Sequence, residues 1–368
     1  MLYLVICSLS GQSPDQKKIQ EMDMEKLYKM SQMHSLSALV CMTLEAAGVT
    51  LSMEWQQAKE KAVRKSILLD AEYKKIASFF EQNKIWYMPL KGRLLQTLYP
   101  KKGMRQMADT DILFDPTYRK IVCDYMLEQG YEIEGYDTGN HDSYLKPPVY
   151  NFEMHVALVS DAVSDEIIEY YSNVKERLLR KSNDSYEYQF KEEDFYIFLI
   201  VHEYKHYSNS GTGLRSLADV YVYLNAKKDT LDFKYVEDEL QKIGIGEYEK
   251  RTRKLCEKIF SERGLELLSE GEIKEVEYYL FSGTYGTQKQ RIANQVTRLQ
   301  NGGGRKRAKA VYLWKRVFPR RDILEAYCPA AKKSVLLLPY AWIKRCFIVG
   351  TERKQSVKKE IQAWKSVE

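Results

Sequence analysis

The chain lacks paired cysteines, internal repeats and any apolar run long enough to span a bilayer, and each absence removes a class of protein. Its six cysteines, Cys7, Cys41, Cys123, Cys256, Cys328 and Cys346, are scattered, with no CxxC pair. That spacing argues against a disulfide scaffold or a zinc-thiolate site and for a reducing compartment. Two greasy segments stand out, Met1–Leu9 (MLYLVICSL) and Val335–Ile343 (VLLLPYAWI). No Lys or Arg precedes the first, and it meets the polar GQSPDQKK at once, unlike a secretory leader. The second is short, carries Pro339 and is followed by Lys344 and Arg345. A cytoplasmic protein with no transmembrane segment is the expectation. Nothing repeats at solenoid periods.

What is present suits a folded protein. The 368 residues are 44% hydrophobic and 29% charged, enough for a proper core and about two domains. With 57 Lys+Arg against 51 Asp+Glu the net charge is +6, but it is unevenly spread. Residues 305–368 hold 17 basic and 5 acidic side chains, a net of +12, which leaves −6 for the preceding 304. Arg305, Lys306, Arg307, Lys309, Lys315, Arg316, Arg320 and Arg321 surround Tyr312, Trp314 and Phe318. Cations interleaved with aromatics suit a nucleic-acid backbone. They also suit a solvated helix face, or anionic lipid beside VLLLPYAWI.

Periodicity divides the chain into four parts. Residues 1–84 are helical in pattern, with Gly48 as a C-terminal cap and Ser52–Asn83 as one long helix bearing Leu69, Ile76 and Phe80 on one stripe. Residues 85–160 change texture. IWYMPL, DTDILF, YEIEG and YNFEMHVAL read as strands, separated by a short helix after Lys91, a helix opened by Pro116 and a polar loop with Gly135, Gly139 and Pro147-Pro148. Residues 161–300 return to helical spacing, in helices over 165–180, 193–207, 214–226 and onward. Asn301-Gly302-Gly303-Gly304 is the clearest linker, before a basic helical region at 305–368. The class is α+β, a small α/β core flanked by predominantly helical regions.

Chemistry concentrates in the core. Asp109 and Asp111 are two apart on a strand and so share a face, and Glu153 follows on a later strand. Carboxylates this close repel unless a cation lies between them, and hard divalent ions such as Mg²⁺, or Mn²⁺, are the usual solution. Upstream, Lys91-Gly92-Arg93 follows a strand and opens a helix, a natural position for a triphosphate. Arg105 could offer a planar guanidinium to the same phosphates. A polar strand start and solvated loop cations are the plainer readings of each half alone.

Together these stretches, LKGRLLQTLYP, MRQMADTDILF, LEQGYE and FEMH, resemble the poorly characterised bacterial nucleotidyltransferase family of the polymerase-β-like superfamily. The resemblance extends over most of the chain, through FLIVHEYKHYSNSGTGLRSLADVYVYL and on to VFPRRDIL and LLLPYAW. It implies a small mixed-sheet core, Gly92 as the turn glycine, Asp109 and Asp111 as metal carboxylates and Glu153 as the third acid. It also implies a nucleoside triphosphate substrate and a hydroxyl acceptor that could be protein, small molecule or RNA, with pyrophosphate released. Two features depart from the superfamily pattern. Arg93 stands where a serine is common, and the gap from the turn to Asp109 is long.

His202-Glu203-Tyr204-Lys205-His206 matches HExxH on a helix, where histidines four apart can share Zn²⁺ and the glutamate can act as base. The further Gly and His of a metzincin are absent, and the nucleotidyltransferase resemblance instead brings His202, Lys205 and His206 near the cleft. His155 faces the same way as Glu153 and could orient it or touch phosphate. His34 and His141 show no partner in sequence. Three rivals to the transferase remain: a catalytically inactive nucleotide or partner sensor, a zinc peptidase using His202 and His206, and a DxD glycosyltransferase. If the basic tail binds nucleic acid, the chain is retained on an RNA column, salt releases it, and truncation after Gly304 abolishes retention. Passage through the column at low salt assigns those charges to a solvated face.

Overall fold

Leu69, Tyr73, Ile76 and Phe80 recur at steps of four, three and four along one helix, Met53–Gln82, and all four are buried. Such spacing gives an apolar stripe that has to find a partner. In a computed structural model of the chain, which describes residues 1–160, 163–300, 304–332, 334–351 and 354–367, that partner is one face of a five-stranded sheet. The strands are β1 (Tyr87–Pro89), β2 (Thr110–Phe114), β3 (Glu132–Glu134), β4 (His141–Lys146) and β5 (Tyr150–His155), in spatial order β1-β2-β5-β4-β3. β2 and β5 are parallel, and the other pairs are antiparallel. Ile112 and Phe114 of β2 and Phe152 and Met154 of β5 turn to the long helix, so alternation sends their neighbours to the opposite face. Phe80 stacks on Tyr87 at 4.9 Å between ring centroids and leans on Phe114 at 5.8 Å.

The expected α+β class is what the fold shows, and several expected boundaries hold. The helix Ser37–Ala46 is closed by Gly48, whose φ of 78° is the left-handed conformation such caps use, with Gly48 N–H donating to the Glu45 carbonyl. Two expectations need correction. The supposed polar loop before Pro147 contains β4, which forms a hairpin with β5 about the Pro147-Pro148 turn. Asp142 and Tyr144 of β4 are buried, and Arg119 neutralises Asp142 from the neighbouring helix. The helix expected over 165–180 stops at Tyr170. A 3-10 turn follows, and then β6 (Leu178–Arg180) pairs with β7 (Tyr188–Phe190). This hairpin adheres to the sheet edge, with Tyr87 N–H donating to the Tyr186 carbonyl and Glu81 accepting from Ser185 and Tyr186.

The chain forms two compact units, residues 1–205 with 213–280 and residues 206–212 with 281–368. The second unit takes residues 206–212 and 281–300 from the expected helical region 161–300, and three residues of the expected linker, 301–303, lie outside the described residues. In the first unit the helices Glu192–Asn209 and Leu214–Lys227 contribute Tyr196, Leu199, Leu217 and Val220 to the interior. In the second, Ile292, Val296, Ala308 and Tyr312 form a small core of their own. Several of its cations are already engaged: Arg316 with Glu360, Arg321 with Glu325, and Arg345 with the Arg316 carbonyl. No helix among the described residues is long and apolar enough to cross a membrane. Because Phe80 is fully buried between the long helix and the sheet, Phe80→Ala is expected to cost about 3–5 kcal/mol. Chemical denaturation followed by circular dichroism reads that loss as a lower midpoint.

Candidate functional site

The site is built on the sheet face turned away from the long helix. The parallel register of β2 and β5 sets Asp111 directly opposite Glu153, and Asp109 precedes β2 by one residue. Each of the three offers an oxygen, and those oxygens lie within 4.8 Å of one another. Across the β4–β5 hairpin, His141 lies opposite His155, their rings 4.9 Å apart and tilted by 31°. His155 Nε2 stands 3.6 Å from both Asp111 Oδ1 and Glu153 Oε2, and His141 Nε2 is also 3.6 Å from Glu153 Oε2.

Crowding and burial strain these charges. Burial first, then Asp111 and Glu153, push the Asp109 carboxyl up to about 6. Asp111 moves the other way: burial raises it, but His155 and Lys91 outweigh burial and hold it low. For His155, burial opposes the charged form, yet the two carboxylates prevail and raise it to about 9. Lysines from separate elements ring the cluster. Leu90 N–H donates to the Asp111 carbonyl at 2.9 Å, which brings Lys91 beside the acids at the start of the helix Lys91–Gln96. Burial lowers Lys91 to about 8 against the pull of Glu203 and Asp111. Lys205 and Lys65 are likewise lowered by burial, opposed by Glu153 and Asp111 at Lys205 and by Asp109 at Lys65. Lys65 donates to the Ala108 carbonyl at 2.6 Å, next to Asp109.

The remaining expected site residues do other work. Arg105, expected at a triphosphate, is buried and spends its guanidinium on Asp219, at 2.8 Å from Nε and 2.9 Å from Nη2, while Tyr99 donates to the same carboxylate. Arg93 turns to the long helix, pairing with Asp70 at 3.0 Å and lying over the Tyr73 ring. Gly92 is buried in the short helix Lys91–Gln96, and a Cβ there would meet the flexible Met107 methyl at 2.7 Å.

The HExxH segment does not gather as a zinc site. Among the described residues, the clusters able to share an ion are Asp109–Asp111–Glu153 and His141–Glu153–His155, and neither contains His202 or His206. Glu203 is buried, answers to Lys91 and Ser216, and is raised by its burial. His202 and Lys205 belong to the first unit and His206 to the second.

Sequence reasoning missed His141, Lys65 and the electrostatic influence of Glu203 on Lys91. A signal for the first exists. A hairpin centred on Pro147-Pro148 sets residue 141 opposite residue 155. The other two depend on how helices pack, which spacing does not reveal.

An oxygen-only trio fits a hard divalent ion, and the buried His155 Nε2, which has no hydrogen-bond partner, points at the same carboxylates. A family model described as an uncharacterised nucleotidyltransferase matches residues 20–261, a span that includes every residue of this site. A solved structure, an antigenic nucleotidyltransferase-like protein from Paracoccidioides brasiliensis, is similar at 14% identity and a TM-score of 0.33, over 53% of this chain and 91% of that one. No curated protein matches significantly.

Cation affinity should be pH-dependent. As pH falls, His155 gains a proton below about 9 and Asp109 below about 6, and both changes oppose a bound cation. Calorimetric titration with Mn²⁺ is therefore expected to show affinity falling from pH 8 to pH 5.5, and by up to about tenfold per unit near the Asp109 transition. Asp109→Asn, which removes one of the three carboxylates, is expected to weaken Mn²⁺ binding across the whole pH range.

Proposed function

Because the chain belongs to the uncharacterised nucleotidyltransferase family, we propose that it moves a nucleoside monophosphate from a nucleoside triphosphate to a hydroxyl acceptor and releases pyrophosphate. Family membership itself supports the transferase class. The observation that carries the finer reading is the convergence of Asp109, Asp111 and Glu153 across the β2–β5 pair. These three would hold Mg²⁺, or Mn²⁺ in its place, which when bound stabilises charge on the phosphates and acidifies the acceptor hydroxyl.

The chain's own groups do the rest. Lys91, half-buried and beside Asp111, offers its ammonium to the triphosphate from a position where low dielectric strengthens the attraction. Arg215 lies close enough to Asp109 to lower its pKa and offers a second cation in place of Arg105. Glu153, opposite Asp111 in the β2–β5 register, would take the acceptor proton. Lys205 borders Glu153 and Asp111 from the helix Glu192–Asn209 and so can steady the departing pyrophosphate. Most of the rate enhancement in such a site comes from positioning and charge, since phosphoryl transfer asks for little covalent help. The acceptor is a hydroxyl on a protein, small molecule or RNA, and the basic helices of the second unit are the surface an RNA acceptor would use.

Incubating the protein with each α-³²P-labelled nucleoside triphosphate and Mg²⁺ in cell lysate tests the reading. Wild type is expected to label one class of molecule, and Asp111→Asn to reduce labelling by at least about a hundredfold. Mg²⁺-dependent nucleotide binding with no label transferred by wild type overturns the enzyme reading in favour of a sensor.

A further inference from the structure

A second cluster adjoins the carboxylate trio and shares Glu153 with it. His141 Nε2, His155 Nε2 and a Glu153 oxygen face one another, both nitrogens at 3.6 Å from Glu153 Oε2. Four ligands arranged tetrahedrally at about 2.0–2.1 Å from a metal stand about 3.3–3.4 Å apart. The observed edges are therefore close to those of a coordination shell.

A second, independent observation points the same way. His155 is 9% exposed, and its Nε2 is buried without a hydrogen-bond partner, aimed into the gap between Asp111 and Glu153. Buried polar atoms of that kind usually await a ligand, an ion or a water. The outer shell is also in place. Asn140 sits behind both rings, its Oδ1 3.3 Å from His141 Nδ1 and its Nδ2 3.3 Å from His155 Nδ1, and Nδ2 also donates to the Ala157 carbonyl at 3.2 Å. The Oδ1 contact holds the proton of His141 on Nδ1, which leaves the Nε2 lone pair directed at the cluster. His155, held in its charged form by Asp111 and Glu153, has to give up its Nε2 proton before that ring can ligate an ion. Asn140 is partly exposed and has room to turn.

We propose that His141, Glu153 and His155 form a second metal position, selective for a divalent transition ion, adjoining the Asp109–Asp111–Glu153 position and sharing Glu153 with it. Two nitrogens and one oxygen suit Zn²⁺, Co²⁺ or Mn²⁺ and are poor ligands for Mg²⁺, which prefers six oxygens. The inference goes beyond nucleotidyl transfer and does not require it, because it concerns metal binding by the resting protein.

The test uses full-length protein stripped with chelator, titrated separately with Zn²⁺, Co²⁺ and Mg²⁺, with metal content measured after desalting. Wild type is expected to bind Zn²⁺ at a position that Mg²⁺ does not compete for, and Co²⁺ there is expected to show the intense visible absorption of a nitrogen-ligated tetrahedral complex. His141→Ala, at a partly exposed strand position, is expected to weaken that position by at least about tenfold and to erase the absorption, while Mg²⁺ binding persists. Asn140→Asp, whose carboxylate accepts from both Nδ1–H groups, is expected to tighten it. Asp109→Asn is expected to do the opposite of His141→Ala, losing Mg²⁺ and keeping the cobalt spectrum. Zn²⁺ binding that is unchanged by His141→Ala, or fully displaced by Mg²⁺, overturns the proposal, and the thermal melting of each variant separates lost ligation from lost folding.

Discussion

The parallel pairing of β2 with β5 is the constraint on which the rest of this structure depends. It sets Asp111 opposite Glu153, and with Asp109 just ahead of β2 it gathers three carboxylates on one partly desolvated face. Unshielded, that arrangement is unfavourable, because burial and mutual repulsion both penalise the charged forms. The surrounding elements can be understood as responses to it. Lys91 arrives from the sheet edge, Lys65 from the long helix, Lys205 from the helix behind the cleft, and His155 from within β5 itself.

Those responses fall into two groups. Cations close to the cluster are themselves destabilised by burial, which keeps them available to a negatively charged ligand. Cations one layer farther out are consumed by the scaffold. Arg105 is held by Asp219 and Tyr99, Arg93 by Asp70 and Tyr73, and Arg119 by Asp142. Guanidinium groups serve this purpose well, since a planar fork satisfies a buried carboxylate with two bonds. Around the acids themselves the lysines are joined by His155 and Arg215.

Much of this was legible beforehand. Alternation along DTDILF and YNFEMH put Asp111 and Glu153 on the strand faces opposite their apolar neighbours. The long helix and its Gly48-terminated predecessor followed from three- and four-residue spacing. What could not be read was long-range pairing. Nothing local in HDSYLK distinguishes a strand from a polar loop until its hairpin partner is known, and His141 was invisible for that reason. Arg105 looks the same in sequence whether it faces phosphate or Asp219, which lies 114 positions away. Glu203 likewise sits inside a zinc-binding motif, and only helix packing reveals that it serves Lys91.

The Arg105–Asp219 pair also bears on how this architecture can be cut and recombined. It ties the strap leading into Asp109 to a helix that begins at Leu214, well past the last strand of the central sheet. A graft that ended near residue 160 would carry every acidic ligand and still strand a buried guanidinium without its counter-ion, a defect costing about 3–5 kcal/mol. The strands that bear the chemistry are thus not a transplantable cassette: their inheritance is bound to that of the helices, and the smallest heritable piece of this protein is larger than its sheet.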